Sequence, residues 1–184
     1  RFAEHIRVGA TLNMPVTGPF GQVFPEGCQR GWIVRSEALS LAFAALDSSL
    51  RPGDRKVWIR ILDQLGLKDD EIIRRTESLI PLLACGDSPV IERLAPVLIE
   101  KADEDRLTEI LLAAFSGKVK KTRQLLLKSA LKRNCPSDKE TLGEWLSLLA
   151  ADSDKAAAVL VRKLMEKWQI SVQSADEKAE PQGL

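Results

Sequence analysis

The sequence contains one run of basic residues, and it is the segment whose residue types best indicate a binding function. Between Ile110 and Ser137 there are seven Lys or Arg residues and no Asp or Glu. At helical spacing five of them share one side, while Leu, Val and Ala occupy the other. Turned to solvent, such a face would neutralise the phosphates of a nucleic-acid backbone without reading its bases. The five residues are Lys118, Lys121, Lys128, Lys132 and Arg133.

The same charges have a plainer explanation, in which they belong to a solvated helix beside an acidic one. Acidic side chains crowd the preceding stretch at Glu100, Asp103, Glu104, Asp105 and Glu109. If the two segments are neighbouring helices, these acids compensate the basic face. From the sequence alone both explanations stay open.

The rest of the sequence contains few residues that could form a catalytic or metal-binding site. His5 is the single histidine, so the commonest general base and metal ligand is missing from nearly the whole length. Cys28, Cys85 and Cys135 are odd in number, far apart and without a Cys-x-x-Cys pair, which predicts reduced thiols. We therefore expect a protein that is not an enzyme, with no metal, no cofactor and no small-molecule substrate.

The amino-acid composition and the N-terminal residues narrow the classes of protein to which the chain could belong. Of the 184 residues 45% are hydrophobic and 29% charged, and 27 Lys and Arg nearly balance 26 Asp and Glu, so overall charge selects no partner. No apolar run approaches the roughly 20 residues that a membrane helix requires. Residues 1–7 lack the features of a secretory signal peptide. These features predict a cytoplasmic protein that does not span a membrane.

The chain divides into three parts by its local pattern. Residues 1–34 hold eight Gly or Pro between Gly9 and Gly31, which predicts an irregular segment with short extended pieces at 5–11 and 21–24. Residues 35–170 place apolar side chains at helical spacing in eight successive stretches. Residues 171–184 are mostly polar and predict a flexible tail.

The predicted helices recur at a regular interval. The capping residues Ser36, Asp69, Asp103 and Asp138, taken as starts of alternate helices, are spaced by 33, 34 and 35 residues. One amphipathic pair of this length cannot bury its apolar stripes alone, so neighbouring pairs must stack. We expect an all-α fold, an α–α superhelix of about four stacked antiparallel helix pairs. An irregular helical bundle is the alternative.

This pattern resembles the HEAT-like, armadillo-type helical repeats. Pro81 lies inside the first helix of a pair, where HEAT repeats often carry proline, and DSPVIE at 87–92 resembles the opening of a second HEAT helix. The segments GWIVR at 31–35, RPGDR at 51–55 and WIRILD at 58–63 also resemble a family of large, uncharacterised bacterial proteins built from HEAT-like helices. The resemblance implies the fold and a bacterial cytoplasmic origin, and it supplies no catalytic residue.

Two functions follow as expectations. The first is a non-catalytic protein-interaction scaffold, part of a larger bacterial protein, with a protein partner of unknown identity. The alternative is nucleic-acid backbone binding through the basic stretch at 118–133, by analogy with HEAT-like proteins that cradle DNA.

Overall fold

The computed structural model of the protein describes residues 1–171. Within these residues the chain forms eleven α-helices and no β-strand, so the predicted all-α class is confirmed. In chain order they are α1 (Phe2–Thr11), α2 (Phe20–Gln29), α3 (Arg35–Ser48), α4 (Pro52–Gln64), α5 (Asp69–Ile73), α6 (Thr76–Ala84), α7 (Ser88–Lys101), α8 (Glu104–Ala114), α9 (Lys120–Ala130), α10 (Lys139–Ala151) and α11 (Lys155–Trp168).

Five of these helices form a row in which each packs against the next, in the order α2, α4, α7, α9, α11. We call it the five-helix row. Every other described helix packs against at least one member of it, as α3 does on α4 and α10 on α11. Helix α7 is enclosed most fully, because α4, α5, α6, α8 and α9 all contact it. Six of its apolar side chains are accordingly inaccessible to solvent: Val90, Ile91, Leu94, Ala95, Leu98 and Ile99.

Polar side chains link helices whose contacting residues lie about 30 positions apart in the sequence. Arg93 of α7 binds Asp63 of α4 at 2.6 Å, and Lys132, just after α9, binds Glu100 of α7 at 2.8 Å. Within residues 1–171, each hydrogen bond between side chains more than one turn apart in sequence joins positions separated by 29 to 36 residues. These separations bracket the interval of 33 to 35 residues between predicted helix starts, and most of them lie slightly below it, at 29 to 32 residues.

The N-terminal segment differs from the expectation. Residues 1–34 contain two helices, α1 and α2, where an irregular chain with extended pieces at 5–11 and 21–24 was expected. Two of the glycines lie where helices approach closely. A Cβ on Gly9 would lie 2.6 Å from the Phe20 ring, and one on Gly27 would lie 2.9 Å from Ile6 Cδ1. These residues were interpreted as helix breakers, but here they permit close packing.

Aromatic packing stabilises this N-terminal helix pair against the rest of the molecule. Phe24 of α2 is fully buried, and its ring meets Trp58 of α4 edge-on at 5.4 Å between centroids. Phe20 contacts the same tryptophan at 6.5 Å. Tertiary burial of this kind outweighs the weak helix propensity of Gly and Pro. The expected core positions Trp58 and Trp168 are both buried, and Trp145 is partly buried against Phe115.

Three local predictions also need correction. Helix α3 begins at Arg35 with Val34 at the N-cap, and α5 begins at Asp69 with Lys68 at the N-cap, so neither Ser36 nor Asp69 is the capping residue. The helix expected from Asp69 to Gly86 is interrupted at Arg74 and Arg75, so that α5 and α6 are separate helices, with Pro81 inside α6. There the Thr76 hydroxyl donates to the Ile73 carbonyl at 2.7 Å. By contrast, α7 continues through Pro96.

The remaining expectations concern the chain end and the membrane. Only residue 171 of the predicted tail is described, and 172–184 lie outside the described residues. None of the described helices is long and apolar enough to cross a membrane.

Candidate nucleic-acid interface

The basic stretch forms a shorter helix than its periodicity predicts. Val119 is extended and α9 begins at Lys120, while Leu131 is the C-cap. Lys118 therefore precedes the helix, and Lys132 and Arg133 follow it. The prediction that the five residues share one face of a single helix is therefore wrong, because only Lys121 and Lys128 lie within α9.

Helix α9 has one buried and one exposed side. Leu126, Leu127 and Ala130 are fully buried, since α7 and α11 pack against them. Thr122 is buried too, and its hydroxyl donates to Glu92 of α7 at 2.7 Å. The side chains turned outward are Lys120, Lys121, Leu125 and Lys128.

Two of the predicted phosphate-binding residues are already engaged within the protein. Lys132 binds Glu100 at 2.8 Å, as the explanation by neighbouring acids requires. Arg133 is half-buried, and its guanidinium donates to the Ala102 carbonyl at 2.9 Å. Its own carbonyl accepts the Trp168 indole N–H at 3.1 Å. These two residues fasten the end of α9 to α7 and α11.

The other three predicted residues remain available to solvent. Lys118, Lys121 and Lys128 are exposed, and none of them forms an ion pair with any residue in 1–171. Arg123, also in the basic stretch, donates to Asp152 and to the Gly117 carbonyl, each at 3.0 Å. The structure thus separates the basic stretch into cations that bind other parts of the protein, which we call fastening cations (Arg123, Lys132 and Arg133), and cations that are free of such contacts within residues 1–171 (Lys118, Lys121 and Lys128).

The neighbouring helix α11 adds cations that the sequence reasoning missed. Lys155, Arg162 and Lys163 are exposed, and none forms an ion pair with a residue that the structure describes. Lys155 follows Lys121 by 34 positions, and Arg162 follows Lys128 by 34. Adding one repeat length to the basic helix would have found both. We give the name basic surface to the exposed cations at these equivalent positions of α9 and α11, together with Lys163 next to Arg162: Lys121, Lys128, Lys155, Arg162 and Lys163.

Helices α9 and α11 run in the same direction, as their end contacts require. Near the start of α9, Gln124 reaches Asp154, the N-cap of α11, at 3.5 Å. Beyond the end of α9, the Arg133 carbonyl meets Trp168, the last residue of α11. Seven residues of helix span about 10 Å, and packed helices lie about 8–10 Å apart. The five cations therefore occupy an area about 10 Å on each side.

Acidic groups border the basic surface at its two ends. Glu166 is exposed near the end of α11. Asp154, at the beginning of α11, accepts the Ala157 backbone N–H at 2.8 Å, and Asp152 is held by Arg123. The exposed positions of α9 and α11 include no aromatic side chain.

The residues considered for other chemistry are dispersed. His5 lies exposed on α1, and no group of three or more His, Cys, Asp or Glu within 1–171 is placed to hold a metal ion. The three cysteines are free thiols, and burial raises the pKa of Cys135. A raised pKa lowers the thiolate fraction and with it the reactivity of that sulfur.

Comparison of the chain with protein-family models, with curated proteins and with solved structures finds no match.

Proposed function

We propose that the protein is a non-catalytic scaffold built from HEAT-like repeats, with its binding surface on the five-helix row. One observation carries the proposal: side chains bridge from helix to helix at intervals of 29 to 36 residues. Contacts of that uniform range are typical of stacked repeats, in which each unit touches only its neighbours. An irregular bundle would also bring together residues at unrelated separations.

The outward positions of the row suit a binding surface. On α9 and α11 they include Leu125, 39% exposed, and Val159, 49% exposed, each set among cations. Extended surfaces of this mixed character are what solenoid proteins offer to their partners.

Site-specific photocrosslinking tests the scaffold proposal. A photoreactive amino acid replaces Leu125 or Val159 on the row, and in the control it replaces Leu112 of α8, which is 41% exposed but lies outside the row. We expect discrete crosslinked proteins from the two row positions in the source cells and none from Leu112. Equal crosslinking from all three positions, or none from the row, would contradict the proposal.

The second candidate function is binding to a nucleic-acid backbone, and the basic surface favours it. Its cations have no partner among residues 1–171, so their charge is available to an external polyanion. Phosphate contacts of this kind release counterions and make binding strongly dependent on salt.

A salt titration of duplex binding tests this second function. The variant Lys121→Glu/Lys128→Glu is compared with Lys56→Glu/Lys139→Glu, which makes the same charge change at exposed sites away from α9 and α11. Lys132 is left intact, because reversing it would set a carboxylate against Glu100. We expect wild type and control to bind a fluorescent duplex at low salt and the first variant to lose binding. No binding by wild type at 50 mM salt would exclude this function.

A further inference from the structure

We infer that the phosphate-binding surface spans two helices, with Lys155, Arg162 and Lys163 of α11 contacting the same duplex as Lys121 and Lys128 of α9. The inference rests on the second candidate function and names its ligand class, double-stranded nucleic acid, and additional binding residues.

The repeat register is the first step of the argument. Helices α9 and α11 are parallel neighbours in the row, and their exposed sides carry the same residue classes at equivalent positions. Lys121 corresponds to Lys155, and Lys128 to Arg162, with aliphatic residues between them in both helices. All four cations are exposed, so a ligand lying across one helix reaches the other.

Charge density is the second step. Double-stranded DNA carries one negative charge per about 1.7 Å of its axis, so a 10 Å length presents about six phosphates. The basic surface presents five cations over about the same length. Only the phosphates on the side of the duplex that faces the protein can contact these cations, and a duplex lying across α9 and α11 presents several of them at this spacing.

The residue types distinguish a duplex from two other polyanions. Proteins that hold single strands stack the bases on aromatic side chains, and the exposed positions of α9 and α11 have none. Protein interfaces are depleted in Lys and enriched in aromatic residues, whereas four of the five cations here are Lys. The cations of the basic surface therefore suit phosphates that remain hydrated, whereas the scaffold proposal depends on the aliphatic positions between them, Leu125 and Val159.

The test removes two of the three α11 cations, Lys155 and Arg162, and leaves Lys163 and the lysines of α9 intact. Lys155→Gln/Arg162→Gln is compared with the control Lys56→Gln/Lys139→Gln, which removes the same charge away from α9 and α11. Binding to two 20-base-pair DNA duplexes of unrelated sequence, to a single strand and to a poly-glutamate peptide is measured by fluorescence anisotropy from 50 to 200 mM salt. Circular dichroism melting establishes that each variant is folded.

We expect the α11 variant to bind both duplexes roughly tenfold more weakly than wild type, with a salt slope shallower by about two. The control should bind like wild type, and the single strand and the peptide should bind more weakly than the duplexes. Duplex binding that is unchanged in a folded α11 variant but lost in Lys121→Glu/Lys128→Glu would overturn the inference and leave the candidate function intact. Absence of wild-type duplex binding would remove both. If poly-glutamate bound more tightly than the duplexes, the assignment of a duplex ligand would be wrong, and the result would indicate an acidic protein partner.

Discussion

The basic stretch of the protein puts cations to two different uses. Lys132 faces α7 and binds Glu100, which lies 32 positions earlier. At the same offset, Lys121 and Lys128 correspond to Pro89 and Pro96 of α7, which have no side-chain charge. Those two lysines stay exposed. In this molecule, a basic side chain on the row is structural where a neighbouring helix supplies an acid, as for Lys132, and it is available to a ligand where none is supplied within residues 1–171, as for Lys121 and Lys128.

The largest effect is expected where paired charges are most enclosed. Arg55 of α4 and Asp87, the N-cap of α7, form an ion pair with side chains only 12% and 15% exposed. Asp87→Ala leaves the guanidinium sequestered without its partner, which should lower the free energy of unfolding by about 3 kcal/mol. Urea denaturation measures this change.

A matched exposed pair gives the control for Asp87. Arg74 and Asp70 also form an ion pair, but their side chains are 70% and 60% exposed. Asp70→Ala should change the free energy of unfolding by less than about 1 kcal/mol. If Asp87→Ala and Asp70→Ala lowered the free energy of unfolding equally, burial would not determine how much these ion pairs contribute to stability.

A smaller effect, dependent on pH, is expected at Glu71. Hydrogen bonds from Arg35, and a further one from the Lys68 backbone N–H at 2.9 Å, lower the pKa of the Glu71 carboxyl from 4.5 to about 2. A depressed pKa in the folded state stabilises the protein above the unfolded value, and this contribution disappears as pH falls from about 4.5 to 2. Because the Arg35 side chain is 39% exposed, we expect Glu71→Gln to cost about 1–2 kcal/mol at pH 7.

The pH dependence itself checks the role of Glu71. The difference in unfolding free energy between wild type and Glu71→Gln should shrink as pH is lowered toward 2. Glu37→Gln, which breaks the more exposed pair with Arg7, should show a weaker dependence of the same sign. A Glu71 difference that is constant with pH would contradict the assignment.

The smallest effect separates the two kinds of lysine directly. Lys132→Glu places two carboxylates together at Glu100 and should destabilise the protein by about 1 kcal/mol. Lys128→Glu alters an exposed residue with no ion pair in 1–171 and should change stability by no more than about 0.5 kcal/mol. Thermal melting compares the two at constant salt. If Lys128→Glu were the more destabilising, the distinction between fastening and free cations would be wrong.

Much of the helical fold could be predicted from residues whose effect is local. Asp138 is the N-cap of α10, and its carboxylate accepts the Thr141 N–H at 3.2 Å. Helices α1 and α2 were missed because their stability comes from contacts such as Phe24 on Trp58, which no local pattern reveals. Local Gly and Pro content predicts a broken chain, and packing over a longer range outweighs it.

The candidate site was less predictable than the fold. Periodicity identified the exposed residues Lys121 and Lys128, but it also assigned Lys132 and Arg133 to the same face. Their partners, Glu100 and the Ala102 carbonyl, lie 32 and 31 residues earlier and depend on how the helices pack. A helical-wheel projection of one helix does not show which side chains of the neighbouring helices will contact it.

The short range of the side-chain bridges also bears on how the protein opens. Because each bridge reaches no further than 36 residues, the interior helices are held from two sides and the outermost ones from one. Opening should therefore begin at the ends and travel inward. Amide hydrogen exchange would then be slowest in α7 and faster toward α2 and α11, giving a gradient of protection along the row.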